Sequence, residues 1–272
     1  MTLVTTGDLL ERQRAVLAFN VIQLEHGEAI LEGAARAGRG VILQLSENAA
    51  RYHGGLGPIG LATLQLARDA AVDAAVHLDH AEDEALVEEA VRLGFTSVMF
   101  DAATLPDAEN RARTAAVTRA AQAAGVWVEA ELGAIGGKGG AHTPGVRTDV
   151  GDAVAFVAGT GVDGLAVAVG SSHAMTSRSA SLDFALIAQL AAAVPVPLVL
   201  HGSSGVGDDD LVRAVEHGMR KINISTHING VFTRAVRAEL DANPALVDPR
   251  KYFGPAREAV AAEVARLLTL VA

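Results

Sequence analysis

Short runs of apolar residues alternate along this chain with longer segments in which apolar positions recur every three or four residues. The first pattern is that of buried strands, the second that of amphipathic helices. Glycine marks the junctions. Ala35-Arg36-Ala37-Gly38 precedes Val41-Ile42-Leu43-Gln44-Leu45, and Val91-Arg92-Leu93-Gly94 precedes Ser97-Val98-Met99-Phe100. Ala123-Ala124-Gly125 precedes Val126-Trp127-Val128, and Glu216-His217-Gly218 precedes Lys221-Ile222-Asn223-Ile224. Glycine just past the last turn takes the left-handed conformation that stops a helix, so each is a helix-to-strand junction. Adding Val16-Leu17-Ala18-Phe19, Ala75-Val76-His77-Leu78, Leu165-Ala166-Val167-Ala168-Val169 and Leu198-Val199-Leu200 predicts eight strands with helices between most neighbours. Strands so continuously apolar are buried on both faces, as parallel strands are. The expected class is α/β, a (β/α)8 barrel over residues 1–272 as one domain, closed by a helix from Gly254-Pro255 onward. A doubly wound open sheet is the rival architecture. Gly133 to Asp149 is the one long glycine-rich stretch without periodicity, and loops of that length are lids or disordered segments.

Half of the 272 residues are hydrophobic and none is cysteine, so disulfides and thiolate ligands are excluded and a metal site must use His, Asp or Glu. The N-terminus has no basic region followed by an apolar core, and no apolar run reaches membrane-spanning length. A cytoplasmic protein without a membrane partner is expected. A formal net charge of −10 with no basic stripe argues against nucleic acid, so attraction for a phosphorylated ligand must be local.

In a barrel, the C-terminal strand ends and the loops after them converge on one mouth. The residues expected there are Asn20; Gln44, Ser46 and Glu47; His77, Asp79 and His80; Asp101; Glu129 and Glu131; Ser171, Ser172 and His173; His201; and Asn223, Ser225 and Thr226. His201 ends the run Pro197-Leu198-Val199-Leu200 and opens Gly202-Ser203-Ser204-Gly205, whose small residues admit an anion to the backbone and whose hydroxyls add donors. An ordinary Gly/Ser turn after a satisfied histidine is the other reading. His77, inside its strand, reads as structural. His26, His53 and His217 read as solvated or capping, while His142 and His227 have no assignment from pattern. Asp101, Glu129 and Glu131 suit acceptors that hold other donors in place. The sharper hypothesis is that His80, His173 and His201 bind one divalent metal, since three imidazoles with an open fourth position describe a catalytic zinc site.

At His77-Leu78-Asp79-His80, Glu129-Ala130-Glu131-Leu132-Gly133, Gly170-Ser171-Ser172-His173, His201-Gly202-Ser203-Ser204-Gly205 and Lys221-Ile222-Asn223-Ile224-Ser225-Thr226, the chain resembles the class II, metal-dependent fructose-bisphosphate and tagatose-bisphosphate aldolases. The blocks come in the family's order over nearly the whole sequence. The resemblance implies a (β/α)8 barrel, zinc or a similar divalent ion with an alternative second position, a monovalent cation as accessory, and reversible cleavage of a ketose 1,6-bisphosphate, fructose first, to dihydroxyacetone phosphate and glyceraldehyde 3-phosphate. It implies that His80, His173 and His201 hold the metal and that Asp79 moves the proton of the hydroxyl at the cleaved bond. By the same resemblance Gly202, Ser204, Asn223, Ser225 and Thr226 cradle the dihydroxyacetone phosphate, while Asp101 and Glu131 take the alternative metal position or support the site. Asn20 and Ser46 lie near the sugar and its second phosphate. Arg250 reaches that phosphate from a neighbouring subunit, which implies a homodimer or homotetramer.

The chemistry agrees. Breaking the C3–C4 bond leaves a carbanion whose charge a metal spreads as an enediolate. A Schiff-base route needs a lysine in the mouth. Of three lysines, Lys138 and Lys251 are expected in loops and Lys221 at the start of its strand, remote from the mouth. Two departures stand out. Family members follow the Gly-Gly pair of the mobile loop with acidic residues, whereas here Gly136-Gly137 leads into Lys138-Gly139-Gly140-Ala141-His142 and no glutamate occurs before Asp149. Either His142 or Asp149 substitutes, or another group does the acidic residues' step, or turnover is altered. Many members also place a phosphate-binding lysine after the second metal histidine; Arg178 is the candidate replacement here. These departures keep open a tagatose-bisphosphate or other phosphorylated-sugar aldolase, and a non-catalytic metal- and phosphate-binding homologue.

Overall fold

Because side chains alternate faces along a strand, each barrel strand sends one set of residues to the helices outside and the other to the barrel interior. A computed structural model describes residues 2–132, 146–171, 178 and 180–272. In chain order the elements are α1 (Thr6–Arg12), β1 (Val16–Asn20), α2 (Leu24–Ala37), β2 (Val41–Ser46), α3 (Glu47–Tyr52), α4 (Leu56–Asp69), β3 (Ala74–Ala81), α5 (Glu84–Leu93), β4 (Ser97–Phe100) and α6 (Asp107–Ala123). They continue as β5 (Trp127–Glu131), α7 (Val150–Thr160), β6 (Gly164–Ala166), α8 (Phe184–Ala193), β7 (Leu198–Leu200), a 3-10 turn (Ser203–Gly205), α9 (Asp208–His217), β8 (Met219–Ile224), α10 (Thr226–Ala242) and α11 (Pro249–Leu270). The eight strands are parallel and the sheet closes β8 onto β1, with Val16 opposite Lys221 and Phe19 opposite Ile224. Closure rules out the open-sheet rival. Helices α2 and α5 end on Gly38 and Gly94 at φ 63° and 96°, as the punctuation predicts.

The outward set (Leu17, Leu43, Val76, Val98, Val128, Leu165, Leu198, Ile222) joins the main core under the helices. The inward set changes character along the barrel. Its lower part is apolar: Val16, Ala18, Ile42, Ala75, Trp127, Ala166 and Val199 pack together, with Leu9 and Leu10 of α1 as the plug. Further along the same inward positions stand Gln44, His77, Asp79, Glu129, Glu131 and Asn223, all buried, while the buried, inward-facing Lys221 stands lower, in register with Val16 and Val199. A closed parallel barrel thus concentrates its polar groups at the strand C-termini.

Two expectations about boundaries change. Strand β6 is only Gly164–Ala166, because the backbone beyond it leaves the sheet ladder: Ala168 accepts from Thr148 N at 3.0 Å and Val169 from Asp183 N at 2.9 Å. The closing helix α11 starts at Pro249, where Asp248 caps it by accepting from Arg250 N, so Pro255 lies inside the helix and Lys251 in its first turn rather than in a loop. Among the described residues no helix is long and apolar enough to cross a membrane.

Helix α11 packs on α2 at Gly33, where a Cβ would lie 2.5 Å from Ala261 O and 2.7 Å from Val264 Cβ. Gly33→Ala gains up to about 1 kcal/mol of helix propensity, but the clash with backbone costs more. We expect a net loss of about 1–2 kcal/mol, read as a lower urea midpoint at unchanged slope.

His26 corrects its sequence assignment as solvated or capping. It is 4% exposed, against Phe232 of α10 at 4.8 Å between ring centroids, and neither ring nitrogen has a partner among the described residues. Burial outweighs the charge of Glu25 and lowers the His26 pKa from 6.5 to about 4. The unfolded chain therefore binds more protons between those values, and stability, complete above pH 6.5, falls as pH drops towards 4. The loss relative to neutral pH reaches about 3 kcal/mol at pH 4. It should be missing from the pH dependence of urea unfolding in His26→Leu.

Candidate metal and substrate site

Strand β3 delivers Asp79 and His80 through a distortion. Its register with β4 shifts between Leu78 and Ala81, and His80 has φ 49°, the one non-glycine residue with positive φ among the described residues. A bulge re-aims a side chain that regular alternation would turn outward. Without it His80 would face the helices; with it, ring and carboxylate share the mouth. Strained backbone of this kind survives where the surrounding structure over-determines it, and it clusters at functional sites.

His201 follows β7, its carbonyl accepting from Ser171 Oγ at 2.6 Å. His201 Nδ1 lies 2.9 Å from His80 Nε2, with the rings 84° apart. Each ring is held from behind by a carboxylate. His80 Nδ1 donates to Asp101 Oδ2 at 2.7 Å, and His201 Nε2 donates to Glu129 Oε1 at 2.7 Å. With those nitrogens committed as donors, the remaining two turn towards one point, which is how metal-binding imidazoles are oriented. Asp79 and His201 form one potential ligand group with His80, and Asp101 and Glu131 form another with it; the ligand atoms within each group lie inside 4.8 Å of one another.

The electrostatics favour positive charge here. Burial opposes a charged His80, but Asp79, the hydrogen bond to Asp101, and Glu131 outweigh it and push the ring up to about 10. A site that stabilises positive charge there also suits a divalent cation, which these nitrogens would bind in their neutral form. The donor set, nitrogens backed by carboxylates, fits such an ion.

Beside these rings is a cavity of about 330 Å³ lined by Asn20, Gln44, Ser46, Asn48, Asp79, Gly202, Ser204, Asn223, Ser225 and Thr226. Sequence reasoning named most of these, and the barrel brings them together. Asp79 is 5% exposed, with Gln44 Nε2 and Asn223 Nδ2 each 3.4 Å from one of its oxygens. Gln44 Nε2 also donates to Asn20 Oδ1 at 2.6 Å, leaving buried Gln44 Oε1 without a partner among the described residues. Ser204 Oγ accepts from the backbone N–H of Ser225 and of His227, so its own proton is available to a ligand. Ser203 differs from expectation: its hydroxyl is buried and donates to Leu200 O at 3.0 Å, so it is no anion donor. Gly202, at φ 67°, makes the turn into this loop. The N-terminus of α10, capped by Ser204 Oγ rather than by its own Ser225 side chain, opens beside the same cavity through Ser225 and Thr226.

A neighbouring groove of about 340 Å³ shares Ser204 and Thr226 and adds Arg178, Arg234 and Arg237. Arg178 is steadied by Val206 O at 2.7 Å and Asp208 at 2.5 Å. Arg250 does not line the cavity of its own chain; it is exposed at the start of α11 and donates to Asp248. Asp149 is occupied as the cap of α7, accepting from Asp152 N at 3.0 Å. His173, Ser172, His142 and Lys138 lie outside the described residues. His77 is fully buried on Ser97 Oγ at 2.6 Å and His53 caps α3, as expected; His217 is half-buried at the end of α9 against Phe184, with Nδ1 donating to Arg213 O at 2.7 Å; His227, unassigned before, pairs with Glu263 across α10 and α11.

Lys221 corrects the expectation that it is remote from the mouth. It is inward-facing with no exposed surface, and Nζ donates to Glu129 Oε2 at 2.8 Å, one carboxylate away from His201. The signal was present in the alternation Lys221, Asn223, Ser225 between Ile222 and Ile224. Lys221 is not among the residues lining the cavity, so it is no candidate for Schiff-base chemistry.

Residues 6–272 match the family described as "Fructose-bisphosphate aldolase class-II". The chain is 39% identical to the fructose-bisphosphate aldolase of Thermus caldophilus, over 95% of this chain and 94% of that one. The chain belongs to the class II fructose-bisphosphate aldolase family. These aldolases are metal-dependent lyases that act on phosphorylated sugars. A probable fructose-bisphosphate aldolase of Bacillus subtilis (strain 168) is also 39% identical, over 96% of this chain and 94% of that one. Among solved structures, the YdjI aldolase from Escherichia coli K12 superposes with a TM-score of 0.84 at 27% identity, over 98% of this chain and 97% of that one. A putative fructose-1,6-bisphosphate aldolase from Coccidioides immitis superposes at 0.85 and 26% identity, over 98% and 95%.

Proposed function

We propose that the protein is a zinc-dependent aldolase of the cytoplasm that reversibly cleaves fructose 1,6-bisphosphate to dihydroxyacetone phosphate and glyceraldehyde 3-phosphate. The observation that carries this is the pair His80 and His201, each fixed by a carboxylate so that its remaining nitrogen meets the other's at 2.9 Å. His80, His201 and His173 hold the ion, with Asp101 and Glu131 supporting His80 or offering the alternative position. When bound, a divalent cation supplies Lewis-acid stabilisation of the charge left on carbon as the C3–C4 bond breaks.

The chain's own residues do the rest. Asp79 takes the C4 hydroxyl proton in cleavage and returns it in synthesis, while Gln44 and Asn223 hold its oxygens. Gln44 Oε1 accepts from a sugar hydroxyl. One phosphate sits where Gly202, Ser204, Ser225 and Thr226 converge, with Arg178 supplying positive charge at its edge; Asn20 and Ser46 face the far end of the sugar. Arg250, exposed on α11, completes a neighbouring subunit's site in a homodimer or homotetramer. A coupled assay for glycerol phosphate formation tests the reading. Chelator-sensitive turnover of fructose 1,6-bisphosphate is expected; turnover of tagatose 1,6-bisphosphate alone reassigns the sugar, and no turnover of either with metal bound makes the chain a non-catalytic homologue.

A further inference from the structure

Beneath the metal histidines, the buried Lys221 ammonium binds two acceptors, Glu129 Oε2 at 2.8 Å and Asn223 Oδ1 at 2.9 Å. Each acceptor faces the site with its other end. Glu129 Oε1 takes the proton of His201 Nε2 at 2.7 Å, and Asn223 Nδ2 stands 3.4 Å from Asp79 Oδ1. A carboxylate that carries a cation on one oxygen offers only acceptance on the other. An amide whose oxygen is held must turn its N–H groups away. Asn223 Nδ2 also approaches His201 Nε2 to 3.2 Å; with that nitrogen protonated this is a contact rather than a hydrogen bond. One buried charge therefore orients two side chains that face chemically different groups, the ring of a metal ligand and the acid–base carboxylate.

We propose that Lys221 is a positioning residue of the metal site. Through Glu129 it holds His201 as the tautomer that turns Nδ1 towards His80 and the ion; through Asn223 it aims an N–H at Asp79. Without Lys221, Glu129 loses its partner, the Asn223 amide is free to rotate by half a turn, and the imidazole loses its fixed donor direction. A buried ion pair is weak grounds for stability alone, since apolar groups of like volume often serve as well. Its placement behind a ligand is what the barrel would lose.

The inference rests on the metal reading above, and cobalt(II) as the probe separates the two. The metal-stripped full chain is titrated with cobalt(II) against a competing chelator while the visible absorption reports ligand geometry. If wild-type binding is absent or survives His201→Ala, the metal reading itself fails. If binding depends on His201, Lys221→Met should weaken it by roughly 10–100-fold and alter the spectrum. Glu129→Gln should weaken it similarly, and adding Lys221→Met to Glu129→Gln should change affinity by less than about twofold, because the route runs through that carboxylate. Unchanged affinity and spectrum in Lys221→Met, or an independent loss in the Glu129→Gln background, overturns the proposal. Should Lys221→Met fail to fold, the comparison of the double variant with Glu129→Gln remains. Imidazole nitrogen-15 resonances of the zinc-loaded wild type provide a further readout: a proton on His201 Nε2 is expected, and one on Nδ1 overturns it.

Discussion

Asp79→Ala should lower kcat for aldol cleavage by about 10²–10⁴-fold while leaving the metal in place. The two halves of this expectation have separate grounds. The carboxylate is buried in the cavity wall, with Gln44 and Asn223 on its oxygens, and no other described carboxylate lines that cavity. In the proposed reaction a sugar hydroxyl entering there meets one carboxylate base among the described residues. In the proposed site the metal relies on imidazoles oriented by Asp101 and Glu129, through hydrogen bonds that do not involve Asp79. Kinetics with a coupled assay, alongside metal analysis of the same preparation, check both. Turnover within a few-fold of wild type would remove Asp79 from the acid–base role, and loss of the metal would make it a ligand.

His201→Ala should abolish metal retention, with affinity falling further than the roughly 10–100-fold typical of losing a group behind a ligand. The ring occupies the centre of the network: Nδ1 meets His80, Nε2 engages Glu129, and the backbone carbonyl is fixed by Ser171. Removing it takes away the ring that faces His80 Nε2 and the donor to Glu129 Oε1, whose other oxygen still accepts from Lys221 Nζ. Activity should vanish with the metal and return poorly on adding excess zinc. A variant that keeps one ion per chain at dialysis equilibrium would show that the other residues suffice.

Much of this site was legible because a barrel makes strand order and site order coincide. Asn20, Ser46, Asp79, His80, His201 and Asn223 sit at the ends of apolar runs, and the C-terminal ends of parallel strands can converge only on one mouth. His26 and Lys221 were read wrongly for a common reason. Each is a polar residue on a face whose burial depends on a partner distant in sequence, Phe232 for one and Glu129 for the other. Ser203 and Ser204 look interchangeable as letters, yet one hydroxyl turns back to Leu200 O and the other opens to the cavity, because the intervening backbone curls into a 3-10 turn.

The sequence by itself determined the alternation of strand and helix, the absence of thiolate ligands and the set of side chains able to bind an ion or a phosphate, since these follow from periodicity and residue chemistry. Tertiary structure alone decided which nitrogen of each imidazole faces its neighbour, that His80 swings inward on a bulge, and that Lys221 lies beneath the site. Those outcomes depend on hydrogen bonds between strands far apart in the chain, and such bonds are formed only when the barrel closes.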